Sequence, residues 1–148
     1  MYSKFFGLKE NPFKLSTNPS YLFLGKSHEE ALAHLVYAVS QGEGFVSLIG
    51  KRGVGKTTIC RAFIESRDQS TEVAYILNPH LTPKKLLSKI NSEFSITANG
   101  DDTKALIDSL NEFLMHKRLE GKKVVLFLDD AQKLDAAVLE QVRLLSNL

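Results

Sequence analysis

The chain has 148 residues, 43% of them hydrophobic and 24% charged, the composition of an ordinary globular domain, which excludes disordered, collagen-like and coiled-coil readings. A chain of this length buries roughly two thirds of its unfolded surface and needs no disulfide or structural metal to hold a core; the single cysteine, Cys60, excludes an internal disulfide in any case. Nineteen Lys and Arg against seventeen Asp and Glu leave a net charge of only +2, and the basic residues fall in scattered pairs, a solvated surface rather than a nucleic-acid stripe.

Residues 1–26 read as an irregular N-terminal arm laid over an α/β core at 27–148, because aromatic and apolar side chains such as Phe5, Phe6, Phe13 and Tyr21 are mixed with Pro12, Pro19 and Gly25. Ser27 and Glu30 have the spacing of a capping box, and Leu32, Leu35, Val36 and Val39 follow at helical spacing, which predicts a first helix of about three to four turns. Phe45-Val46-Ser47-Leu48-Ile49 predicts a short strand, followed by a glycine-rich loop and a helix over 58–67. A second strand is expected at 73–77, closed by Asn78-Pro79, and then a helix with Pro83 at its first position and Leu86, Leu87, Ile90 and Phe94 turned inward. Asn99-Gly100-Asp101-Asp102 reads as loop and cap before a helix carrying Leu106, Leu110, Phe113 and Leu114. Residues 124–128 are an all-apolar strand, Val-Val-Leu-Phe-Leu, that needs cover on both faces, so the expected architecture is a parallel sheet with helices on both sides.

No apolar stretch approaches the ~20 residues needed to cross a bilayer, and the N-terminus shows no signal-peptide pattern, which makes the cytosol the expected compartment. The amphipathic run at 135–148 stops without a cap or polar tail, as expected of a segment cut from a longer protein.

Gly50-Lys51-Arg52-Gly53-Val54-Gly55-Lys56-Thr57 matches G-x-x-x-x-G-K-[ST] at every defined position, between a predicted strand and a predicted helix. Glycines allow successive backbone N–H groups to converge on phosphate oxygens, and the helix N-terminus adds its positive end. The candidate nucleotide-binding residues are therefore Gly50, Gly53, Val54, Gly55, Lys56, Thr57 and Thr58, with Lys56 as the charge on the β- and γ-phosphates and Thr57 as an Mg²⁺ ligand. A strand ending in Asp129-Asp130, about seventy residues further on, is the expected Walker B partner, with Asp129 holding Mg²⁺ through water at the carboxyl end of the strand. Asp130 stands where many P-loop ATPases have a glutamate that orients the attacking water. The missing methylene withdraws the carboxylate, and misplacement by about an ångström can cost ~10²-fold in rate, which leaves slow turnover, or binding without turnover, open.

Met1-Tyr-Ser-Lys-Phe-Phe-Gly-Leu-Lys-Glu-Asn-Pro-Phe13, His28-Glu-Glu-Ala-Leu32, the P-loop, Asn78-Pro79, Asp129-Asp-Ala-Gln132 and Leu139-Glu-Gln-Val-Arg-Leu-Leu-Ser-Asn-Leu148 resemble, in order, the AAA+ ATPase domain of the ExeA/GspA family. That family includes ATPases of type II secretion and of mannose-sensitive pilus biogenesis. The resemblance implies ATP and Mg²⁺ as cofactors, secretion or pilus-assembly proteins as partners, a homo-oligomer in the full-length form, and a cytoplasmic location with an inner-membrane anchor as the variant. It also implies a sensor-1 strand, an arginine finger and a helical lid, none of which lies within this sequence. Asp130 departs from the family's usual glutamate. The class's strand order, 5-1-4-3-2, would leave the predicted strand at 45–49 without neighbours, giving a rearranged sheet, an edge-paired or swapped dimer, or low stability. The order of nucleotide kinases, with the third strand beside the first, would instead close a three-stranded sheet.

Two other functional classes share this layout: a nucleotide-dependent switch with little turnover, and a transposition-type regulator that loads onto DNA, which the near-neutral charge disfavours. A small-molecule kinase would need a substrate lid that the sequence does not display. Phe13, Tyr21 and Phe23 line an adenine pocket or simply cover the sheet edge. His28 starts a helix that passes near the base, or is an ordinary helix-capping surface residue, and His34, His80 and His116 have no metal spacing. Gln132 reaches toward the γ-phosphate or caps the next turn, and Cys60 is a core filler.

Overall fold

The computed structural model describes residues 5–7, 25–77 and 81–146. The elements run α1 (Lys26–Gln41), α2 (Lys56–Ser66), β1 (Thr71–Ile76), α3 (Pro83–Glu93), α4 (Thr103–Leu119), β2 (Lys123–Leu128), a 3₁₀ turn (Ala131–Lys133) and α5 (Ala136–Leu145). The N-terminal arm beyond Phe5, Phe6 and Gly7, with Phe13, Tyr21 and Phe23, lies outside the described residues, as do Asn78, Pro79 and His80.

Local chemistry sets most helix boundaries. Thr82 accepts the Lys85 N–H at 3.3 Å and Pro83 opens α3. Asp102 accepts the Ala105 N–H at 2.6 Å to start α4, whose last turn carries His116, Lys117 and Arg118 against the negative end of the helix. The first helix departs from expectation: its cap is Gly25, with no side-chain cap bond, so Ser27 lies inside the helix and the capping box is not formed. It ends at Gly42 in the left-handed region, with the Glu43 N–H bonded to the Ala38 carbonyl at 3.0 Å.

The two strands pair in parallel, in register from Thr71 opposite Lys123 to Ile76 opposite Leu128. Side chains alternate across this small sheet. On one face Ile76, Leu126 and Leu128 meet Leu86 and Ile90 of α3, Leu110 of α4 and Val138 of α5. On the other, Phe127 meets Leu35 of α1 with Ile59 and Phe63 of α2. Helices thus cover both faces, as expected for α/β. Ile76, Leu86 and Leu87 are fully buried, each worth about 1.5–3 kcal/mol of transfer free energy. Asn91 adds a buried clasp, donating to the Leu106 carbonyl at 3.0 Å and so fixing α3 against α4.

The strand expected at 45–49 is absent; this segment is irregular. A strand is stabilised by its ladder of backbone bonds, and among the described residues the sheet contains only β1 and β2. Phe45, Val46 and Ile49 are exposed, Ile49 at 88%, and only Leu48 packs, against the Leu35, Ile59 and Phe63 cluster. The three-stranded closure of the nucleotide-kinase order is therefore not formed among the described residues, and the pairing of β1 with β2 is common to both strand orders. Consequently β2, expected to be buried on both faces, is only half-buried along most of its length.

Candidate functional site

Two chain segments far apart in sequence meet at the carboxyl end of the sheet. The loop from Gly50 to Gly55 leads directly into α2, so the N–H groups of Lys56, Thr57 and Thr58 fall in the first turn, where a helix has no internal acceptors for them. Gly53 and Gly55 stand at φ of 81° and 94°, a region closed to most side chains. Gly50 is crowded instead: a Cβ there would sit 3.0 Å from Val54 Cγ2, which would have to give way. The Lys56 ammonium folds back over the loop and donates to the carbonyls of Gly50 at 2.8 Å and Lys51 at 2.9 Å.

Asp129 follows β2 directly, and its own N–H extends the ladder to the Ile76 carbonyl at 3.0 Å. Its carboxylate collects three donors. The Thr57 hydroxyl and the Tyr75 hydroxyl each donate to Oδ2 at 2.7 Å, and the Asp130 N–H donates to Oδ1 at 2.9 Å. Partial burial pushes the Asp129 carboxyl up, but the bonds from Tyr75, Thr57 and Asp130 outweigh it and hold the group below its ordinary value. Asp129 is therefore a fixed anion beside the start of α2. Thr57 and Asp129 together form a hard oxygen donor set of the kind that suits Mg²⁺, which takes its remaining ligands from water and bound phosphate. Among the described residues no cluster of three or more His, Cys, Asp or Glu offers a metal site made of protein ligands alone.

Asp130 is arranged differently. Among the described residues it is one of two non-glycine residues at positive φ, at 55°, a conformation that aspartate tolerates better than most. Its carboxylate turns to Lys133 at 2.6 Å and accepts from Gln132 Nε2 at 3.2 Å, contacts that hold the carboxyl below its usual range. The structure thus brings Thr57 and Asp129 into contact and engages Asp130 with both Gln132 and Lys133.

Sequence reasoning missed Tyr75 altogether. It lies on the same sheet face as its register partner Phe127, with ring centroids 6.0 Å apart, and its partly buried phenol needs a polar partner. Burial, together with the bond to Asp129 and that residue's charge, raises the phenol's pKa, so it remains a donor. The available signal was a lone tyrosine in the otherwise small and aliphatic run Val73-Ala74-Tyr75-Ile76-Leu77. Cys60, one turn into α2, has its thiol pushed up to about 11 by burial and by the Asp129 charge, consistent with packing rather than reactivity. His28, at the start of α1, has its Nε2 2.8 Å from the Val54 carbonyl of the loop.

The family model described as an AAA domain matches residues 39–148, most of the chain, including both halves of this site. The chain belongs to the AAA family. Along its whole length it is also 47% identical to General secretion pathway protein A of Aeromonas hydrophila, which bears out the resemblance to the ExeA/GspA group. This AAA chain spans only 27% of that relative's length. No solved structure matches it. Among the described residues of the AAA chain, no helix is long and apolar enough to cross a membrane.

Proposed function

We propose that this AAA chain binds Mg·ATP and forms the nucleotide-binding part of an ATPase that couples ATP binding and hydrolysis to a secretion or pilus-assembly machine. The observation that carries the reading is the 2.7 Å bond between Thr57 and Asp129, which joins the phosphate-binding loop to a strand end across 72 residues of sequence. Bound Mg²⁺ supplies positive charge against the β- and γ-phosphate oxygens. The backbone N–H groups of Gly53 to Thr58 bind phosphate, and the ammonium of Lys56 exchanges the Gly50 and Lys51 carbonyls for phosphate oxygens. The Thr57 oxygen would ligate the metal while its O–H still donates to Asp129, whose carboxylate would hold the metal's water shell. Tyr75 fixes the Asp129 carboxylate by occupying Oδ2. Asp130 orients the attacking water only after leaving Lys133.

The similarity to General secretion pathway protein A supports the secretion context, and the pilus-assembly variant rests on the family resemblance. Calorimetric titration of the full chain with Mg·ATP, beside Lys56→Ala, tests the reading: binding by wild type and its loss in the variant are expected. Equal binding by both would refute the assignment of the loop.

The engagement of Asp130 by Lys133 and Gln132 favours a second reading, a nucleotide-dependent switch with slow turnover. Asp130→Glu restores the longer carboxylate. A gain of about tenfold or more in phosphate release would support the switch, and unchanged turnover would count against it.

A further inference from the structure

The His28 ring, in the first turn of α1, touches the loop at the peptide that joins Val54 to Gly55. Its Nε2 lies 2.8 Å from the Val54 carbonyl oxygen. A carbonyl only accepts, so Nε2 carries a proton and donates it. Nδ1 is enclosed by protein and without a hydrogen-bond partner.

Peptide planarity makes this contact directional. The bond between Val54 and Gly55 is trans, as all described peptides are, so the Val54 carbonyl and the Gly55 N–H point in opposite directions. Holding the carbonyl toward α1 aims the Gly55 N–H away from α1. Left alone, this peptide is free to turn over, because rotation of the plane changes only ψ of Val54 and φ of Gly55, and glycine accepts either sign of φ. The two residues are also matched in shape, since a Cβ at Gly55 would stand 3.3 Å from His28 Nε2. At its other end α1 is anchored to the sheet by Lys123, which donates to the Ser40 carbonyl at 3.0 Å. The ring is therefore presented by an element tied to the core, not by a loose segment.

We propose that His28 is a positioning residue for phosphate: through the Val54 carbonyl it presets the Gly55 N–H toward the bound phosphate oxygens, so that the donor does not have to be reoriented when nucleotide arrives. This rests on the reading of the loop as a Mg·ATP site. Preorganised donors contribute more than donors that must be ordered on binding, and loss of the pin is expected to weaken binding about tenfold.

The test is titration of the full chain with Mg·ATP in wild type, His28→Leu and His28→Gln, alongside urea unfolding of each. His28→Leu should bind about tenfold more weakly, while His28→Gln, whose amide N–H can still reach the carbonyl, should recover to within about threefold. A merely structural role would make affinity follow the unfolding midpoint in both variants. Should His28→Leu not fold, the protonation of Nε2 is read directly from ¹⁵N–¹H correlations of the wild-type imidazole; an Nε2 without a proton would overturn the proposal. Wild-type binding with an unchanged affinity in His28→Leu overturns it alone, whereas absence of binding by wild type overturns the nucleotide reading and this inference with it.

Discussion

Replacing Tyr75 with Phe removes one hydroxyl and leaves the ring that packs beside Phe127 in place. The lost bond is short, at 2.7 Å, and its acceptor is a carboxylate. Such bonds are worth about 1.5–3 kcal/mol. Here the low end applies, because Asp129 is only partly buried and its Oδ2 keeps the Thr57 hydroxyl. A loss of about 1–1.5 kcal/mol at neutral pH is expected, which lowers the urea midpoint by roughly 0.5–1 M for a domain of this size. The pH dependence follows from the direction of the shift. The folded-state pKa of Asp129 lies below its unfolded value, so the carboxylate's contribution is fully present above the ordinary Asp range near 3.9 and is lost as pH falls through the folded value. Tyr75→Phe and wild type should therefore differ most near neutrality and converge in acid. The decisive assay is a double-mutant cycle with Asp129→Asn, followed by urea unfolding at neutral and acidic pH. If Tyr75→Phe costs as much in the Asp129→Asn background as in wild type, the phenol is not acting through Asp129 and its role as a support of that carboxylate is refuted.

Gly55→Ala places a side chain at φ of 94° and 3.3 Å from His28 Nε2, so a loss of about 1–3 kcal/mol in urea unfolding is expected, with loss of Mg·ATP binding by calorimetry. Cys60, with its thiol pushed from an ordinary 9.0 up to about 11, should react with a thiol reagent at pH 8 about a hundredfold more slowly in the folded chain than in urea. Equal rates would show that the packing around α2 is wrong. Lys133→Ala breaks an exposed ion pair and should leave the urea midpoint almost unchanged; a clear drop in the midpoint would mean that Asp130 depends on Lys133 for its backbone conformation.

The sequence by itself determined the layout of elements wherever short-range chemistry decides it. Thr82-Pro83 and Asp102 mark helix starts through bonds to N–H groups three residues away, and the apolar run at 124–128 becomes β2 between helices on both faces. The loop glycines were legible for the same reason, since positive φ at Gly53 and Gly55 is a local demand. Local spacing alone misjudged two places. Ser27 and Glu30 have the spacing of a cap, but the helix begins earlier, at Gly25. Residues 45–49 have the composition of a strand, but a strand exists only through a neighbour's backbone, and none of the described residues supplies one. The contacts that complete the site were decided by tertiary structure. Tyr75 reaches Asp129 across 54 residues, His28 reaches Val54 across 26, and Asp130 turns to Lys133 instead of the loop. These depend on which strands lie side by side and on where α1 rests, and hydrogen bonds form only over a few ångströms, a proximity that periodicity along the chain does not encode.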